Sequence, residues 1–305
     1  MKVAASRIIK VAIGVIVLAN ILYWIPSTRL FALYAVGRTS RCPLGKTVRS
    51  FATVSKRVAI EKQLDHDKKL LENDPAGYHL WDTAMGRYWV PKRDDGVLTD
   101  NLAEQATQVY GDREDGVHPG DVVFDCGANI GVYTRVALAA GAKLVVAIEP
   151  APENVECLRR NYAAEISQGR VIVVPKGVWN RDDVLILRED AGNSARDSFV
   201  GSFGSALRET RVPLTTIDRL VEELHLDSVG FMKFDIEGAE KRALAGARNT
   251  LQKYHPRMAI AMEHLADDPV AIPQVILAAA PSYRVVCGDC LDKGSWVRPD
   301  VLFFR

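Results

Sequence analysis

The sequence predicts an α/β fold, a mainly parallel sheet covered by helices on both faces. Three observations predict it. From residue 120 onward, short apolar and β-branched runs alternate with segments of helical period, the pattern of repeated β-α units. Residues 121–131 (DVVFDCGANIG) read as strand, glycine turn and helix start: an apolar run ends in an acid, two glycines follow four apart, and a helical pattern begins at Val132. Residues 283–287 and 301–304 are strand-like with little helix between them, which suggests an antiparallel pair at one edge.

Taken from the start, Lys2, Arg7 and Lys10 precede an apolar run over 11–25 that only Asn20 interrupts; Tyr23 and Trp24 lie near its end and Pro26 stops it. Counted from Ile8, it approaches the roughly 17–25 residues a membrane helix needs, with aromatics suited to the headgroup interface. Residues 1–26 are therefore expected to be a single-pass membrane anchor. The alternative is a cleaved signal peptide, although no small-residue cleavage site precedes Arg29-Leu30-Phe31. Basic residues flank both ends, so charge does not orient the span. Residues 27–77 read as a partly helical linker, with a patchy helical period over 54–71. Residues 78–305 read as the main domain, with an N-terminal cap to about residue 114. Tyr78, Trp81, Tyr88 and Trp89 fall in one or two short strands of that cap, where they either pack beneath it or line a cleft. A helix is expected over 102–110.

Composition narrows the partners. Lys and Arg number 39 against 38 Asp and Glu, a net charge of +1, so the chain lacks the basic footprint of a nucleic-acid binder and no nucleic-acid partner is expected. Its five cysteines, Cys42, Cys126, Cys157, Cys287 and Cys290, are odd in number and scattered, unlike a disulfide framework. Cys287-Gly-Asp-Cys290 is a lone C-x-x-C pair, read as free thiols and not as a zinc site. A reducing compartment is the expectation.

The main domain then runs in order. Strand 122–126 leads to helix 132–140, strand 144–148 to helix 153–164, and a β-branched strand follows at 171–174. A hairpin-like excursion begins at 184–187, followed by a Gly/Ser-rich loop over 190–206 that includes Gly192-Asn-Ser194. Thr215 or Thr216 caps a short helix to Leu224, with Asp218 in its first turn. Strand 229–234 ends at Asp235, helix 239–253 follows, and strand 258–262 ends at Glu263-His264. Helix 269–280 precedes the two closing strands.

A dinucleotide site would carry G-x-G-x-x-G after the first strand. Here Asp125 ends the strand and the glycines are spaced G-x-x-x-G, while Glu149 ends the second strand, where a carboxylate can take both ribose hydroxyls. Asp125 suits an ammonium neighbour better than a pyrophosphate. An NAD-dependent oxidoreductase on a similar sheet, or a degenerate tethered binding module, are the alternatives to an enzyme with a cationic cofactor.

Five motifs in order, Asp125-Cys-Gly-Ala-Asn-Ile-Gly131, Ile148-Glu-Pro150, Lys176-Gly-Val-Trp179, Thr216-Ile-Asp218 and Lys233-Phe-Asp-Ile-Glu-Gly-Ala-Glu240, closely resemble the FkbM family of S-adenosylmethionine-dependent methyltransferases. The resemblance covers roughly 95–304. It implies a class I methyltransferase (Rossmann-like) fold, seven strands with one antiparallel edge strand, and transfer of a methyl group from S-adenosylmethionine. O-methylation of a hydroxyl on a glycan, glycolipid or related metabolite is the reaction it suggests. By position, Asp125, Gly127, Asn129 and Gly131 would hold the methionine part, Glu149 with Pro150 the ribose, and Val178 would lie near the adenine. A cytosolic cofactor places the catalytic domain on the cytoplasmic side.

A sugar hydroxyl is a poor nucleophile, so a general base is expected at the strand ends. The candidates are Asp235, Glu237 and His264. Asp235 and Glu237 have a structural alternative, capping the helix that follows them. Glu240 reads as a packing or surface acid. No spaced ligand motif supports a metal at Asp235, Glu263 and His264, so none is expected.

Overall fold

The computed structural model describes residues 26–112, 114–190, 199 and 206–305. The expected membrane span over 1–25 and Gly192-Asn-Ser194 lie outside the described residues, among which no helix is long and apolar enough to cross a membrane.

Two helices come first, α1 (Pro26–Ala35) and α2 (Leu44–Asp67), then an antiparallel three-stranded sheet, β1 (Lys69–Asp74), β2 (Tyr78–Thr83) and β3 (Gly86–Pro91), and helix α3 (Val97–Ala106). The α/β body follows: β4 (Val122–Cys126), α4 (Val132–Ala139), β5 (Leu144–Ile148), α5 (Pro152–Asn161), α6 (Ala163–Ser167) and β6 (Val171–Val174). A side sheet is built from β7 (Gly177–Val178), β8 (Asp183–Asp190) and β9 (Ala206–Thr215). The chain re-enters the body through α7 (Ile217–Glu223), β10 (Phe231–Phe234), α8 (Glu240–Ala245), α9 (Arg248–Tyr254), β11 (Arg257–Ala261), α10 (Asp268–Ala279) and β12 (Val285–Cys287). It closes with a hairpin, β13 (Cys290–Asp292) and β14 (Val297–Pro299), and with β15 (Val301–Phe304).

The seven-stranded order is β12-β15-β11-β10-β4-β5-β6. Only β15 runs against its neighbours, β11 and β12. The class I α/β fold is thus present, with one correction: the antiparallel strand sits one place inside the edge, and β12 is the edge. The alternation of side chains along each strand divides the core. Phe124, Val146, Met232, Ile260 and Leu302 face one layer, with Leu220, Leu251 and Ile276 of the helices. Val123, Val145, Phe231, Ala259 and Phe303 face the other, with Tyr133, Leu158 and Tyr162. Strands covered on both faces carry apolar residues at nearly every position, which is why they read as near-continuous runs broken only where a buried polar pair such as Asp125 and Lys233 meets.

Other expectations change in detail. The helix expected over 239–253 is two, broken at Gly246-Ala247. A Cβ at Gly246 would lie 2.1 Å from the Trp179 carbonyl oxygen, so the backbones touch there. Thr216 caps α7 by accepting from the Arg219 N–H, with Asp218 in its first turn as expected, and Asp218 also accepts from the Asn249 and Thr250 N–H groups at the start of α9. The segment 27–77, expected as a linker, is docked. Ile60 and Leu64 of α2 pack with Leu98, Leu102 and Tyr88, Arg57 pairs with Asp300 at 2.8 Å, and Leu30 and Leu33 of α1 meet Cys290 and Val297. Here the free-thiol reading of the C-x-x-C pair is corrected: Cys290 is disulfide-bonded to Cys42, 248 residues away, and Cys287 is left as a thiol. Only folding brings that pair together, and the bridge removes the ground for expecting a reducing compartment. Of the cap aromatics, Tyr88 is core, Trp81 donates its indole N–H to Asp95, and Arg160 covers the rings of Tyr78 and Trp89. They pack, and none lines the cleft described next.

Candidate active site

At the C-terminal ends of β4, β5 and β10 a cleft opens, where open α/β sheets take their ligands. Gly127, Asn129, Glu149, Pro150 and Val178 line it, as do Asp235 and Glu237. Asp125 and Gly131 do not. Both support it from below.

Asp125 corrects an expectation. It is fully buried on β4, accepts from the Thr134 hydroxyl at 2.7 Å and lies 3.5 Å from the Lys233 ammonium. Burial raises its pKa against the pull of Lys233 and Thr134. It therefore anchors Lys233, which itself donates to the Gly127 carbonyl at 2.8 Å and fixes the turn. Gly127 has φ +77, and a Cβ there would lie 1.8 Å from the Asp235 carbonyl oxygen; β4 and β10 approach too closely for any other residue. Gly131, φ +96, abuts the Tyr162 ring, whose hydroxyl donates to the Gly131 carbonyl.

Glu149 ends β5. One carboxylate oxygen accepts from the Asn129 N–H at 2.8 Å, the other from the Ala151 N–H at 2.9 Å and from Asn154 at 3.4 Å. Asn129 takes φ +49, a left-handed conformation that asparagine tolerates, and so turns its N–H toward Glu149. Burial raises the Glu149 pKa to about 7, with the N–H groups of Ala151 and Asn129 opposing.

The far end is an acid–histidine cluster. Asp235 accepts from the Tyr110 hydroxyl at 2.7 Å and lies 3.7 Å from Lys233. His264 Nε2 lies 3.3 Å from Asp235 and 3.4 Å from Glu237, and its Nδ1 lies 2.9 Å from Glu240. Glu240 is fully buried and also accepts from the Ile236 N–H at 3.0 Å, so it is a packing acid that orients the imidazole. Burial works against a charged His264, but Glu240, Asp235 and Glu237 outweigh it and hold its pKa well above the ordinary value. Burial likewise opposes the Asp235 charge, but Lys233, His264 and Tyr110 hold its carboxyl well below the usual range. Glu237 goes the other way, raised by burial despite His264. It takes φ +52 before Gly238, a strained position for a side chain of its size. Glu263 turns outward to Lys293 at 2.5 Å and takes no part. Asp235, Glu237 and His264 offer ligand atoms mutually within 4.8 Å, as do Glu240, His264 and Asp268.

Sequence reasoning missed Lys233, Tyr110 and Glu104 as cleft residues. Lys233 carried a signal: a lysine within an apolar strand buried on both faces needs a buried partner. Tyr110 and Glu104 carried none, because helix α3 and the turn after it reach the cleft only through the fold. Among the described residues the lining holds four carboxyl groups, Glu104, Glu149, Asp235 and Glu237, against Lys176 and Lys233. Such an acceptor-rich lining suits a ligand with a ribose diol and an amino group, both of which S-adenosylmethionine has.

Comparison with known proteins agrees. The family described as Methyltransferase FkbM domain matches residues 125–282, from the acid of the glycine turn to the approach to β12. The 31-O-demethyl-FK506 methyltransferase FkbM of Streptomyces tacrolimicus is 26% identical over 160 residues, 44% of this chain and 62% of the relative. The crystal structure of methyltransferase FkbM from Methylobacillus flagellatus KT is similar with a TM-score of 0.47 and 18% identity, over 83% of this chain and 60% of that one. M. jannaschii TYW2 in complex with AdoMet is similar with a TM-score of 0.39 and 14% identity, over 77% and 88%. The chain thus spans 62% and 60% of the length of the first two. Since the family match extends over more than half of the sequence and takes in both ends of the cleft, the chain belongs to the FkbM methyltransferase domain family, and its cofactor is S-adenosylmethionine.

Proposed function

We propose that the protein is an O-methyltransferase acting on a hydroxyl of a glycan, glycolipid or related metabolite, tethered to a membrane through residues 1–26. One observation carries the O-methylation reading: Glu237, a carboxyl of raised basicity, stands in the same cleft as the ribose-type acceptor Glu149. S-adenosylmethionine supplies an electrophilic methyl group on a positively charged sulfur. Glu149 would hold its ribose, Val178 would border the adenine, and the Gly127–Asn129 turn would receive the methionine part.

Glu237 is the residue to take the proton of the acceptor hydroxyl. Asp235 is too weak a base, since Tyr110, Lys233 and His264 occupy it. His264, held charged by three carboxylates, has no lone pair to offer near neutrality. His264 positions Glu237 instead, 3.4 Å from its carboxylate. General-base help is worth about a hundredfold to ten-thousandfold. The tether is supported by the apolar run over 11–25, and a cytoplasmic domain by cofactor supply; the Cys42–Cys290 bridge favours the oxidising side instead. Protease protection of the domain in sealed vesicles decides between the two sides.

The test is a labelled-methyl transfer screen against cell-envelope and lipid-glycan fractions, with the product degraded and the methylated fragment identified by mass spectrometry to show whether the methyl sits on oxygen. Transfer to nitrogen or carbon overturns the O-methylation reading. Binding of S-adenosylhomocysteine by calorimetry, without transfer to any fraction, would instead support a degenerate binding module.

A further inference from the structure

We propose that the face formed by α1, the start of α2 and the β13–β14 turn is a platform that lies flat on an anionic lipid surface. Leu30 and Leu33 turn inward onto Cys290 and Val297, which leaves Phe31 and Val36 outward at 62% and 68% exposure. Leu44 and Val48 at the start of α2 and Trp296 in the β13–β14 turn are exposed as well, so five of the eleven exposed large hydrophobics among the described residues fall on these three packed elements. Charge gathers there too. Residues 26–60 hold seven Lys and Arg and no acid, in a chain whose net charge is only +1, so the remainder is net acidic. Arg29 and Arg57 are engaged by Asp292 and Asp300, but Arg41 and Arg49 are exposed and Arg38 lies over the Trp296 ring, 5.2 Å from its centroid.

Exposed aromatics and aliphatics among basic residues are the composition of an interfacial membrane contact. A second copy of the chain fits less well, because like charges would meet across the joint. The place in the chain agrees: α1 begins directly after the apolar run over 11–25, so the face is carried to whatever surface that run enters. The Arg29–Asp292 pair and the Cys42–Cys290 bridge fasten it to the catalytic body, so seating the face also orients the cleft.

This extends the tether proposed above, and the experiment separates the two. Full-length chain carrying Trp24→Phe is reconstituted in vesicles of brominated phosphatidylcholine, alone or with about one third phosphatidylserine. Flotation reports the tether; quenching of Trp296, taken as the difference from Trp296→Phe, reports the face. The expected result is quenching in the anionic vesicles, weakened by salt and reduced at least about fivefold by Arg41→Glu with Arg49→Glu, with S-adenosylhomocysteine affinity unchanged. Unquenched Trp296 in floated protein overturns the platform while sparing the tether. Quenching that ignores phosphatidylserine, salt and charge reversal also overturns it, as does burial of the face that rises with protein concentration in the absence of lipid.

Discussion

At the scale of single residues, the two ends of the cleft separate binding from turnover. Glu149 has both oxygens turned by backbone N–H groups, so its remaining lone pairs are aimed and cannot swing away. Glu149→Ala is expected to weaken S-adenosylhomocysteine binding at least about tenfold, the worth of a hydrogen bond to a charged group, by calorimetry. Its pKa of about 7 sets the pH dependence. Below that value the carboxyl is protonated and loses acceptor capacity, so affinity should rise from pH 6 to pH 8, and Glu149→Gln should flatten the profile. A flat wild-type profile would reject the assignment. Glu237→Gln should cost turnover about a hundredfold or more while affinity for S-adenosylhomocysteine stays within about twofold. Equal loss of both would make Glu237 a structural acid. Gly127→Ala should abolish folding or cofactor binding, because the added methyl meets backbone that cannot move aside.

At the scale of elements, the docking of α2 ties the N-terminal segment to the cleft. Arg57 bonds Asp300 and lies 3.8 Å from Glu104, itself a cleft residue, so the cleft wall formed by α3 is braced from behind. Burial, with Asp235, Asp300 and Asp100 nearby, raises the Glu104 pKa strongly, and Arg57 is the cation that moderates it. The disulfide closes a loop of 248 residues, for which a stabilisation of about 2–4 kcal/mol is typical. Cys42→Ser should therefore lower the melting temperature and admit protease between α1 and α2. Reductant should do the same to the native chain and nothing further to the variant. Mass spectrometry under non-reducing, denaturing conditions should find three alkylatable cysteines; five would reject the bridge.

At the scale of the whole molecule, buried charge makes stability depend on pH from both sides. His264 has its folded pKa raised, so its contribution is full below about pH 6.5 and is lost as pH rises through the higher folded value. Asp235 has its folded pKa lowered, so its contribution is present above about pH 4 and is lost only in strong acid. The expected result is a urea midpoint that falls between neutral and alkaline pH, with His264→Gln less stable at pH 6 and less dependent on pH above it. If the variant keeps the wild-type slope, another group carries the alkaline loss.

The sequence by itself determined the sheet, its glycine turn and the residues at its strand ends. Those signals are local: an apolar run, a glycine whose φ is forced, an acid where a strand stops. Gly127, Glu149, Asp235 and Glu237 were legible because a parallel sheet brings its strand ends to one edge by construction. Tertiary structure alone decided the rest. Asp125 looked like a ligand contact and proved to be the buried partner of Lys233, since only the spacing of β4 and β10 shows which way it points. Tyr110 and Glu104 entered the cleft from a segment with no periodic signal of its function. Cys42 finds Cys290 across 248 residues, and a stretch that reads as linker is a docked helix pair, held by β3 and α3 on one side and by the C-terminal hairpin on the other. Sequence patterns report what a residue does within its own element; which neighbours it meets depends on how the elements close on one another.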